Sequence, residues 1–424
     1  MLAHRPKPSP MWYSSDSQAA CGNVSGMTTT HDPITRPRAM NAEQILQAAR
    51  DLHGAIRAAA PEMQTNRTLS PVVVDAIRDA GVFAMALPRS LGGPELSPLE
   101  QFHIIETLSY ADASVGWCAM IGCDSGYFPG FHDDATVAEL YPTPNLVSAG
   151  KVQPSGRAVR SADGWRITGR WDFGSGSAHA DRFIGGVLLH DESGELLTDK
   201  YGRPFARVAH LPPDQVEVHD TWNAIGLRAT GSHDFEITDA LVPDRWLFDP
   251  FAPMQRDDPL YRLPSWFLIK HAGILTGLAR RAVDEAVEAC RAKLLMPDGI
   301  LLIDRPATLE TIARAEASTR SARAFLIEEI SRVWDNCIDN GDLSNESIAP
   351  LRLALVNASS IAVEVTRSMF DLLTTTSIAA DSVFAQLTND AAVANTHVVT
   401  SHRNWAPLGA RLANRPIAGP TVFI

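Results

Sequence analysis

GRWDFGSGSAHADRF, Gly169–Phe183, alternates like a strand and then breaks into Gly174-Ser175-Gly176, which sets a hydroxyl between two glycines. DGWRITGR (Asp163–Arg170) overlaps its start, TWNAIGLRATGS (Thr221–Ser232) follows some way on, and each carries a tryptophan. A turn requires glycine for its freedom at positive φ. It requires neither the aromatic Phe173 on one side nor the imidazole of His179 on the other. The combination suits a strand end that a flat ligand approaches: an apolar wall, a polar contact, and backbone without Cβ atoms. A plain β-bulge would account for the tripeptide alone, and the flanking motifs tip the reading toward a ligand-facing loop.

Outward from this stretch the chain divides by periodicity. Residues 41–145 read as helical. Ile45, Leu46, Ala49, Leu52, His53 and Ile56 form one stripe, Ser70-Pro71 and Ser97-Pro98 are helix starts, and Gly81 is a stop. Residues 146–250 read as short strands, beginning with a hairpin at Asp163-Gly164. Residues 251–424 hold three helical runs of about 27–30 residues and a shorter one, about Ser382 to Trp405, which predicts a four-helix bundle. Residues 1–40 are polar and rich in Pro, Ser and Thr, and are expected to be a disordered extension or an over-long start, with Met27 and Met40 as alternative initiators.

Composition narrows the function classes. The net charge of -12 argues against nucleic acid or an anionic membrane as partner. No apolar run approaches the roughly 20 residues of a membrane span. Cys21, Cys118, Cys123, Cys290 and Cys337 are scattered, with no CxxC pair and no Cys/His comb, so neither a disulfide framework nor a metal site is expected and a cytoplasmic setting fits. GxGxxG after a first strand, the P-loop, HExxH and GxSxG are all missing, so no Rossmann unit for a nicotinamide cofactor is expected.

DAGVFAMALPRSLGGPELSPLE, ADASVGWCAMIG, GWRITGRWDFGSGSAHADRF, WNAIGLRATGSHDFEITDALVP and NDAAVANTHVV, spread over most of the chain, resemble the acyl-CoA dehydrogenase fold. More closely they resemble the oxygenase components of two-component flavin monooxygenases. The implied fold class is α+β, mostly α: an N-terminal helical domain, a middle β-barrel domain and a C-terminal four-helix bundle. The resemblance places flavin against the loop, with Phe173 as a packing aromatic and Ser175 near flavin N5 or O4. Trp117 would be a second wall, and Ser148 and Thr230 further contacts, although a core tryptophan or a plain turn would also explain Trp117 and Thr230. It also implies a homotetramer, with flavin contacts crossing between subunits.

Dehydrogenation requires a carboxylate base. The two positions that the resemblance gives to it hold Val398 and Phe267, and the family's TEP stretch is replaced by SAGKVQPSGRA. The oxygenase branch instead carries an Asp and, seven residues on, a His, which Asp390 and His397 match. Seven residues on a helix return to within about 20°, so both are expected on one helix face. His397 is the expected catalytic group, stabilising a C4a-hydroperoxide formed from reduced FMN or FAD and O2 or deprotonating a phenol, with Asp390 and Ser175 assisting. Asn389 departs from the usual Arg. The predicted enzyme is a flavin-dependent monooxygenase acting on an aromatic or polycyclic small molecule and supplied by a separate flavin reductase. The alternatives are an FAD-dependent acyl-CoA dehydrogenase-like enzyme and a non-catalytic binding homologue. His179 is a weaker candidate at the loop, and His103 and His271 read as core or surface.

Overall fold

The computed structural model describes residues 40–416; apart from Met40, the expected N-terminal extension lies outside them. The first helical stripe folds as two helices, α1 (Ala42–Asp51) and α2 (His53–Asn66), joined at Leu52, and Ile45, Ala49 and Ile56 are buried. Asn41 and Gln44 cap α1 reciprocally, each side chain taking the other's backbone N–H. Ser70 caps α3 (Pro71–Asp79), and Gly81 at φ 76° ends that turn. Ser97 and Glu100 form a second reciprocal cap at the start of α4 (Pro98–Ala111). Asp112 then accepts from the N–H groups of Ser114 and Val115 and starts α5 (Ala113–Gly122), which is buried almost throughout and carries Trp117. A short α6 (Asp134–Leu140) leads into the sheet.

Seven strands follow: β1 (Ser148–Ser161), β2 (Gly164–Gly174), β3 (Arg182–His190), β4 (Ala206–Leu211), β5 (Glu217–His219), β6 (His233–Val242) and β7 (Leu247–Phe248). Their order is β5-β6-β2-β1-β3-β4-β7, with β1 and β3 parallel and the other pairs antiparallel. Ser161 pairs with Gly164, so the hairpin loop is Ala162-Asp163, one residue earlier than the sequence suggests. Inside, Trp171 stacks on Phe235 at 5.3 Å and donates its indole N–H to the Gly186 carbonyl, while β4 approaches β6 across this core. The sheet thus curls about Trp171, and its ladder keeps two edges at β5 and β7.

The C-terminal helices are α7 (Trp266–Ile269), α8 (His271–Ala292), α9 (Pro306–Ile338), α10 (Asn345–Leu373), α11 (Val383–Ala394) and α12 (Trp405–Leu412). α8, α9 and α10 pack side by side, α11 lies on α8 and α10, and α4 runs along α8. One hydrophobic core therefore joins the N- and C-terminal helices, from Ile45 to Val399. The run expected to reach Trp405 stops at Ala394, because the Thr396 and Thr400 hydroxyls donate to the Val393 and Ala394 carbonyls that another helical turn would have used. By length and composition α10 is apolar enough to cross a membrane, an exception to the reading from apolar runs. Here about half of that segment is buried inside the bundle.

Candidate active site

Five segments bring the site together: the end of β2, the Gly226–Ser232 loop, α5, the start of α8 and the turn that follows α11. Gly176 takes φ 76° and its N–H donates to the Thr230 carbonyl, which locks the two loops to each other. Ser177 donates to the Gly231 carbonyl at 3.1 Å in the same seam. Ser175 is buried between the glycines, because side chains from two other elements cover it. The Trp117 indole N–H donates to Ser175 Oγ at 3.1 Å. Ser175 Oγ lies 2.7 Å from Ser232 Oγ, Ser232 Oγ lies 2.7 Å from Thr230 Oγ1, and Thr230 donates to the Leu227 carbonyl at 2.7 Å. Thr230 is thus buried, with its hydroxyl engaged by Ser232 and the Leu227 carbonyl.

His397 and His271 complete the cluster. Their rings stack with centroids 4.4 Å apart, and both meet Trp117 edge-on, at 5.6 and 5.3 Å. Burial pushes His397 down to about 4, and burial followed by the neighbouring His397 pushes His271 well below the usual imidazole range. Both are neutral at pH 7. His271 Nδ1 lies 2.7 Å from the Leu268 carbonyl, which only accepts, so the ring proton sits on Nδ1 and leaves Nε2 a bare acceptor. His397 Nδ1 accepts from the Val399 N–H at 3.4 Å, so its proton sits on Nε2. The pair offers one acceptor and one donor, and His271 Nε2 is buried with no partner among the described residues. Sequence reasoning missed His271. Its signal was its place four residues, about one helical turn, after Phe267.

Asp390 does not share a helix face with His397, because α11 ends between them. Its Oδ1 instead accepts from the Leu227 N–H at 2.6 Å. Burial, and then the nearby Asp112, push the Asp390 carboxyl up to about 7. Phe173 stands at the rim, exposed, with its ring edge-on to Trp222 at 6.2 Å and Lys151 Nζ 5.5 Å above it. Ser148 is buried at the start of β1, and its hydroxyl has no partner among the described residues. His179 lies against Gly176, neither ring nitrogen has a partner among the described residues, and burial pushes it down to about 4. His103 sits elsewhere, beside Glu106 and Arg323 of the helical core.

The acyl-CoA dehydrogenase N-terminal domain matches residues 41–129 and the acyl-CoA dehydrogenase C-terminal domain residues 269–402. The indole-3-acetate monooxygenase of Pseudomonas putida is 34% identical over 381 residues, covering 89% of this chain and 94% of its own. The chain belongs to the flavin-dependent monooxygenases of the acyl-CoA dehydrogenase fold. The oxygenase subunit HsaA of a flavin-dependent monooxygenase from Mycobacterium tuberculosis is 24% identical, over 86% of this chain and 93% of that protein. Among solved structures, XiaF from Streptomyces sp. with FADH2 and glycerol superposes with a TM-score of 0.82 at 20% identity, over 89% of this chain and 97% of its own. FMN-bound TdsC from Paenibacillus sp. A11-2 superposes with a TM-score of 0.75 at 19% identity, over 90% and 100%. As an oxygenase component, this flavin-dependent monooxygenase has no use for a dehydrogenase base. Val398 and Phe267, at the two positions where such a base is expected, cannot take a proton.

Proposed function

We propose that this oxygenase component takes reduced FMN or FAD from a separate reductase and, with O2, oxygenates an aromatic or polycyclic small molecule. The indole nucleus named in the Pseudomonas putida relative is the first candidate. The observation that carries the reading is the stacked, neutral His271–His397 pair against Trp117, one hydrogen bond from Ser175. The residues fit a flavin. Phe173 offers an exposed flat ring, and Ser148 Oγ and His271 Nε2 are buried polar atoms without a partner among the described residues, such as a bound polar ring would satisfy. Phe173 and Trp117 would wall it, and Ser148, Ser175 and the Thr230 loop would anchor it.

Bound reduced flavin supplies the electrons that activate O2. The chain does the rest. Trp117, buried and paired, keeps water from the reacting face. His271 Nε2 accepts the proton of a substrate N–H or O–H, and the His397 Nε2–H donates to the oxygen being transferred. Neutral imidazoles do this without desolvating a full charge. The apolar bundle helices suit the homotetramer that the family resemblance implied, with subunits packed through their bundles.

The test loads anaerobic protein with reduced FMN or FAD, adds indole-3-acetate or related aromatics and O2, and measures product against H2O2. His397→Ala is expected to shift turnover from product to H2O2 by about 10²-fold, the scale of one acid–base contribution. A variant as tightly coupled as wild type would remove His397 from the mechanism. Reduction of bound oxidised flavin by an acyl thioester would return the chain to the dehydrogenases.

A further inference from the structure

The hydroxyl chain behind Ser175 has only one possible direction. The Leu227 carbonyl cannot donate, so the Thr230 hydroxyl hydrogen points to it. Thr230 Oγ1 can then only accept across its 2.7 Å contact with Ser232, and the Ser232 hydrogen is committed to it. Ser232 Oγ in turn can only accept from Ser175, 2.7 Å away. Ser175 thus spends its one hydrogen on Ser232 and receives the Trp117 N–H at 3.1 Å. What remains is a single acceptor lone pair.

The Leu227 peptide that sets this direction is fixed from its other side. Asp390 Oδ1 takes the Leu227 N–H at 2.6 Å, and Gly226 lies so close to α11 that a Cβ there would meet the Asn389 carbonyl at 2.2 Å. All of these atoms are buried, so water cannot reverse the chain cheaply.

We infer that Thr230 and Ser232, held on the Asp390-pinned Leu227 peptide, are positioning residues that make Ser175 an obligate acceptor, so that the site selects reduced over oxidised flavin. This rests on the reading above that bound flavin meets Ser175. Reduced flavin carries a hydrogen on N5 and oxidised flavin a bare lone pair there. An acceptor at Ser175 pairs with the first and leaves the second facing another lone pair, a buried mismatch. The preference for the reduced cofactor is thereby set two hydroxyls away from the flavin.

The test is equilibrium binding of oxidised and of anaerobic reduced FMN, repeated with FAD, to wild type, Thr230→Val, Thr230→Ser and Ser232→Ala. Wild type is expected to bind the reduced form more tightly. In Thr230→Val the Ser232 hydrogen turns to Ser175, and in Ser232→Ala its partner is gone; either way Ser175 regains a hydrogen to donate. Both variants are expected to narrow the reduced-to-oxidised affinity ratio by about tenfold, the worth of one hydrogen bond. Thr230→Ser, which keeps the hydroxyl, is expected to restore the wild-type ratio. A merely structural role would weaken both redox forms alike. Equal losses, or an unchanged ratio in both Thr230→Val and Ser232→Ala, overturn the inference while leaving the flavin reading intact. Wild-type protein that binds neither form overturns both.

Discussion

Phe173 holds φ 63°, where a side chain bearing a Cβ is strained, and its ring is 59% exposed. Neither feature helps the chain fold. The strain costs about 1–2 kcal/mol, and an exposed ring recovers little by burial. A residue kept in such a conformation at the rim of a site is there for what it presents. Phe173→Gly is therefore expected to leave the melting temperature at or above that of wild type, because relief of strain offsets the roughly 0.5–1 kcal/mol of extra chain entropy that glycine loses on folding. Its reduced-flavin affinity is expected to fall several-fold, by the loss of one aromatic contact. A clear drop in melting temperature would show that the ring supports the fold and is no ligand wall. The aromatic before Gly-Ser-Gly was legible in the sequence. Its left-handed φ was not, since that conformation is imposed by the register shift between the Trp171 and Gly174 pairings with β6.

At the scale of elements, the caps were written in the sequence. Ser70, Ser97 and Gly81 act within a few residues, and local hydrogen bonds decide them. The end of α11 was not, since spacing alone cannot tell that Thr396 and Thr400 will turn back to its last carbonyls. The expected Asp390–His397 face was lost with that turn. His397 still reached Trp117, and Asp390 took up the Gly226–Ser232 loop instead. That loop docks by close approach, so Gly226 is its least replaceable residue. A Cβ would meet the Asn389 carbonyl at 2.2 Å, backbone that cannot yield as a flexible side chain would. Gly226→Ala is expected to cost about 1–3 kcal/mol of stability, the scale of overpacking, and to loosen the Leu227 N–H bond to Asp390. Thermal melts would read the first and slow-exchange protection of the Leu227 amide the second. An unchanged amide would mean that the loop is held by its hydroxyls alone.

For the whole molecule, the one core that joins both helical regions confines many ionisable groups, and they pull stability in opposite directions with pH. His132 and His210, with Nε2 atoms 3.0 Å apart where the sheet meets the N-terminal region, are pushed down by burial, His132 to about 4 and His210 well below its usual range. Buried His271 behaves alike, as do His179 and His397, both pushed down to about 4 by burial. A histidine whose folded value is depressed stabilises above about 6.5, and that stability is lost as pH falls toward 4. Asp390 has the opposite sign. Pushed up to about 7 by burial and then by Asp112, with Arg281 from α8 opposing, it stabilises at low pH and loses that contribution as pH rises through 7. Asp124, pushed up to about 6 by burial against the pull of Lys270, follows Asp390. At pH 5 these five histidines together outweigh the two raised carboxyls. Stability is expected to fall as pH drops from 6.5 to 5. The two sets separate by substitution. With His132→Leu and His210→Leu combined, the slope of melting temperature against pH between 4.5 and 6.5 should flatten, because fewer depressed histidines are left to oppose the carboxyls. In Asp390→Asn, which keeps the acceptor for Leu227 and abolishes the titration, the same slope should steepen upward. If both variants tilt the slope the same way, the balance lies in groups other than these, and the burial of these histidines and of Asp390 does not govern the acid limb.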